Sequence, residues 1–64
     1  GDFAIALERA AAFCRVVAAG RAYLADDCTD EDEAVRQTRL ADGNLRMAQE
    51  LEHAAALWRD GDLT

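Results

Sequence analysis

At 64 residues the chain holds material for one small domain, spanning 1–64. It carries 13 acids against seven bases, every one an arginine, for a net charge of −6. That charge leaves no basic stripe to displace counterions, which excludes direct phosphate-backbone binding to nucleic acid. A hydrophobic fraction of 52% without a single proline likewise excludes collagen-like and disordered classes. Arg9, Arg15 and Arg21 interrupt the most apolar stretch, so no membrane span is expected. The opening Gly1 suggests a trimmed or partial chain. No segment has the basic start and apolar run of a signal peptide. The two cysteines lack CxxC spacing, and a reduced, cytoplasmic setting is the expectation.

The first element is predicted as a helix over about 3–25, with Asp2 as its N-cap and alanine-rich helix formers behind it. Phe3, Leu7, Ala10, Cys14, Val17 and Leu24 recur at alternating four and three residues, with Arg21 filling the missing step. This is a heptad seam, and strand-like alternation occurs nowhere. A second apolar line, Ile5, Ala12, Val16, Ala19 and Tyr23, lies nearly opposite the first. A helix covering a core from one side needs one stripe, so two stripes predict a helix held between partners. Ile5, Ala12, Val16, Ala19 and Tyr23 are therefore the candidate interface residues.

Residues 26–30, Asp-Asp-Cys-Thr-Asp, read as a turn, and Thr29 or Asp30 can cap the next helix. That second helix is expected over about 31–60, its inward line running through Gln37, Ala41, Asn44, Ala48, Leu51, Ala55 and Trp58. Leu40, Met47 and Ala54 flank that line, and Gly61 is its expected stop. Asp42-Gly43-Asn44 admits two readings: a break with Asn44 capping a third helix, or a continuous helix, which the unbroken phase favours. The fold class that results is all-α. It is an antiparallel helical hairpin, too small to bury both faces of its first helix alone, and so expected to dimerise into a four-helix bundle.

Chemistry has few residues to work with. There is no serine, and His53 is the one histidine through which any Ser-His or Cys-His mechanism would pass. No catalytic residue, cofactor or metal is assigned, and the chain is not expected to be an enzyme. Two short patterns nonetheless use His53. Glu50-x-x-His53, within the stretch Gln49-Glu-Leu-Glu-His-Ala-Ala55, resembles the carboxylate–imidazole element of two-helix encapsulated ferritins. That resemblance implies a half-bundle whose metal site, from Glu8, Glu50 and His53, is completed on pairing. Arg46 and His53 share one helix face and resemble the Arg–His element of HEPN-type ribonucleases.

Three function classes remain. The first is an acidic helical interaction or oligomerisation module that pairs with itself or with a helical protein. The second is an acidic regulator, of antitoxin, immunity or nucleic-acid-mimic type, that meets a basic partner through the acids of 26–33. The third is the ferritin-like metal-binding half-bundle.

Overall fold

A computed structural model describes residues 2–61 as two helices, α1 (Asp2–Asp27) and α2 (Glu31–Arg59), packed along each other. Asp2, expected as a cap, is the first helical residue of α1. Three residues connect the helices, and the cap of α2 falls on Asp30. Its backbone is extended (φ −85°, ψ 115°), and its carboxylate accepts the Asp32 N–H at 3.0 Å. Glu31, Asp32 and Glu33 occupy the first turn, where negative charge complements the helix dipole. At the far end Asp60 N–H donates to the Ala56 carbonyl at 3.0 Å and Gly61 N–H to that of Trp58 at 3.3 Å. Gly61 has φ 81°, a left-handed conformation that glycine adopts without a Cβ penalty, and the helix stops there.

α2 passes through Asp42-Gly43-Asn44 without a break. One internal glycine costs about 1 kcal/mol against alanine. The seven-residue phase on either side outweighs it: Ala41 and Ala48 are buried, and Asn44 between them is half-buried.

The core is built of alanine. Among the described residues the buried ones are Ala4, Ala11 and Ala18 of α1 and Ala41, Ala48 and Ala55 of α2, all between 0% and 6% exposed. Half-buried Ala25 and Ala34 extend each series by one heptad. The antiparallel register, fixed by the Arg21–Gln37 hydrogen bond and the Phe3–Trp58 ring contact, sets these alanines level with one another across the hairpin. Between the alanine levels lie half-buried Leu7 and Leu51, Cys14 and Asn44, and Arg21 and Gln37. The seam thus grades from apolar at the open end to polar beside the turn. Phe3 and Trp58 close the open end edge to face, with ring centroids 4.9 Å apart.

The inward line of α1 differs from the sequence expectation at every second step. Leu7, Cys14 and Arg21 lie half-buried in the seam as expected, with Val17 half-buried at its edge, but Phe3, Ala10 and Leu24 are exposed. Ala4, Ala11 and Ala18 take their places, one residue further along. The physical reason is the partner. α2 presents alanine at every seventh position, and small side chains facing small side chains let two helices approach to the short end of the usual 8–10 Å range. A Phe or Leu at those levels would hold the helices apart.

Candidate interaction faces

With the seam fixed, helical spacing divides the rest of the surface into two flanks and a back. One flank carries the charges. Arg15 donates to both carboxylate oxygens of Glu52, at 2.8 and 2.7 Å, and Arg59 bonds Glu8. These two cross-helix pairs lie one heptad apart on the same side. The hydrogen bonds from Arg15 hold the Glu52 carboxyl below its ordinary value, and Glu52 in turn raises Arg15. Both side chains are nearly half exposed, so the pair fixes orientation more than it adds stability. Towards the turn the same flank opens into a shallow groove lined by Ala18, Ala19, Ala22, Thr38, Ala41 and Leu45.

The opposite flank is apolar. On α1 it carries Phe3, Ala6, Ala10, Phe13, Val17, Gly20 and Leu24; on α2 it carries Leu40, Gly43, Met47, Ala54 and Leu57. Phe13 is 69% exposed, and Phe3, Leu24, Leu40 and Met47 are exposed as well. Arg36 and Glu50 are the charges on its α2 edge, with Glu33 and Asp27 towards the turn. No cross-helix ion pair among the described residues bridges this side.

The predicted interface residues Ile5, Ala12, Val16, Ala19 and Tyr23 are all exposed, Tyr23 at 73%. Val16 and Tyr23 border the apolar flank, whereas Ile5, Ala12 and Ala19 lie round towards the charged one. Sequence reasoning missed Phe13, which falls in neither apolar line. The available signal was its size: a phenylalanine outside every seam position of a small helix has no internal role.

Glu8, Glu50 and His53 do not come together within one chain. Glu8 is engaged by Arg59, while Glu50 and His53 are exposed on α2. Among the described residues no group of three or more His, Cys, Asp or Glu side chains gathers in a metal-binding arrangement. Arg46 and His53 are both exposed. Cys14 and Cys28 are free thiols and half-buried. Part of the acidic run has local work: Asp30 caps α2, while Glu33 accepts from Gln37 at 2.9 Å and from Arg36 at 3.4 Å. Among the described residues no helix is long and apolar enough to cross a membrane. Compared with protein-family models, with curated proteins and with solved structures, the chain matches none.

Proposed function

We propose that the chain is a protein–protein interaction module that docks through the apolar flank centred on Phe13, Val17 and Leu24. The supporting observation is the inversion of burial. Among the described residues the hairpin buries six alanines, while Phe3, Phe13, Leu24, Leu40 and Met47 on this flank are 39–69% exposed. Soluble monomers rarely leave contiguous apolar patches larger than a few hundred Å² uncovered, and larger patches mark interaction sites. The occupant this reading favours is helical, because a long, narrow apolar flank on two side-by-side rods accepts another rod by the same heptad packing.

Site-specific photocrosslinking in cells tests it. A photoreactive side chain at Phe13 should give a discrete protein adduct, homotypic or heterotypic, that is absent when the probe stands at exposed Arg46 on α2. Absence of any discrete adduct from Phe13, or equal labelling from both positions, would sink the docking reading.

A further inference from the structure

The docking flank has a feature that its own hairpin leaves unexplained. Gly20 in α1 and Gly43 in α2 both lie on it, both sit inside regular helix, and a Cβ added at either would meet nothing within 4 Å. Neither glycine is required by its own chain, yet each weakens its helix relative to alanine. Open backbone at the middle of an apolar flank suits a bulky side chain arriving from outside.

The flank is also complementary to itself. Arg36 and Glu50 stand seven residues to either side of Gly43. The hairpin register sets Gly43 close to the level of Val16 on α1, and Phe13 and Gly20 stand to either side of that level. A two-fold axis across the flank at this height lays each helix antiparallel on its own copy. It brings Arg36 against Glu50 of the second copy, Phe13 over the open backbone of Gly20, and Leu40 beside Met47. Each contact occurs twice, which is the signature of an isologous interface. The outline of the molecule on this side, with Cα extents of 48 by 14 Å, is roughly 700 Å², of the same order as the figure of about 800 Å² per partner in stable interfaces.

Building on the docking reading, we infer that the occupant of this flank is a second copy of the chain, in a two-fold antiparallel four-helix dimer keyed by Phe13 on Gly20 and Arg36 on Glu50. A heterologous partner would place no demand on the symmetry of these charges about Gly43; a second copy does.

Sedimentation equilibrium of the purified chain should return twice its 7.0 kDa mass. Gly20→Leu adds bulk where the hairpin itself has open space, so the chain should remain helical while association weakens by roughly tenfold or more. Arg36→Glu should weaken association, and adding Glu50→Arg to it should restore part of what was lost. A wild type that sediments as a monomer overturns self-pairing, and a Phe13 adduct to a different protein would then leave the docking reading standing. Dimers unaffected by Gly20→Leu, or a double charge swap no better than the single change, overturn the two-fold arrangement.

Discussion

Ala10 and Ala11 are neighbours of identical chemistry, and the structure assigns them opposite roles. Ala11 is 1% exposed in the seam, while Ala10 lies exposed on the apolar flank. Replacing each in turn with leucine adds the same three carbons and the same helix propensity within a few tenths of a kcal/mol. In Ala11→Leu the added atoms point at α2 near Ala48, which is 0% exposed, so the helices must separate or the leucine must leave its rotamer. Overpacking of this kind costs about 1–3 kcal/mol. In a domain of this size each kcal/mol moves the melting midpoint by about 4–8 °C, so Ala11→Leu should lower it by roughly 4–24 °C. Ala10→Leu should be the milder change, because its added atoms leave the α1–α2 seam untouched and enlarge the apolar flank instead. Circular-dichroism melts at one chain concentration read both effects. If Ala10→Leu is the more damaging change, or if Ala11→Leu melts with the wild type, the alanine seam is wrong and the Phe3–Leu24 line faces α2 instead.

Three further outcomes are expected. Arg21 lies half-buried in the seam, and its Nε is buried without a partner although Nη1 donates to Gln37 at 3.2 Å; Arg21→Leu should therefore raise stability by about 1–3 kcal/mol in urea unfolding, and a loss would show that the arginine is needed there. Asp30→Ala removes the acceptor for Asp32 N–H and should cost about 1 kcal/mol, whereas Asp30→Asn should retain most of it; equal melting of all three proteins would remove the cap from the account. Glu52 has its folded-state pKa below its unfolded value, so the stabilisation from Arg15 is complete above the ordinary carboxylate range and is lost as pH falls through the folded-state value. The melting-point gap between wild type and Glu52→Gln should accordingly shrink on acidification, and a gap that persists unchanged into strong acid would contradict the pairing.

α2 was readable from its sequence because its polar and apolar residues separate. Charges at Arg39, Asp42, Arg46 and Glu50 leave one continuous line, 37-41-44-48-51-55-58, and the structure turns that line inward. α1 offers no such contrast. Apolar residues occupy almost every side of it, and the line through Phe3, Ala10, Val17 and Leu24 differs from the true one by a single residue at alternate steps. Choosing by size selected the wrong line, because the controlling quantity was the room available against α2. The deciding signal was present but bilateral: alanine recurs at 4, 11, 18 and 25 and again at 34, 41, 48 and 55, and only the two series together show that the helices meet on alanine. With Leu24 exposed and Phe3 only edge-packed on Trp58, the exposed apolar residues of α1 extend beyond the line through Ile5, Val16 and Tyr23 to include Phe13 and Leu24.

The polarity gradient along the seam has a kinetic consequence. Beside the turn, where contacts close the shortest loops, the helices meet through Arg21 and Gln37, a level with little attraction to offer. The ring contact lies at the far end, between residues 3 and 58, and closes almost the whole chain. Closing a long loop costs entropy that must be met before the contact returns anything. The alanine levels nearest the connection bring little contact area with their small side chains, so most of the favourable contact accumulates as the two rods come into register further along. Most helical proteins fold fast because their contacts are local. The one ring contact between the helices among the described residues thus lies where loop closure is costliest, and replacing either Phe3 or Trp58 with alanine removes the contact that spans most of the chain.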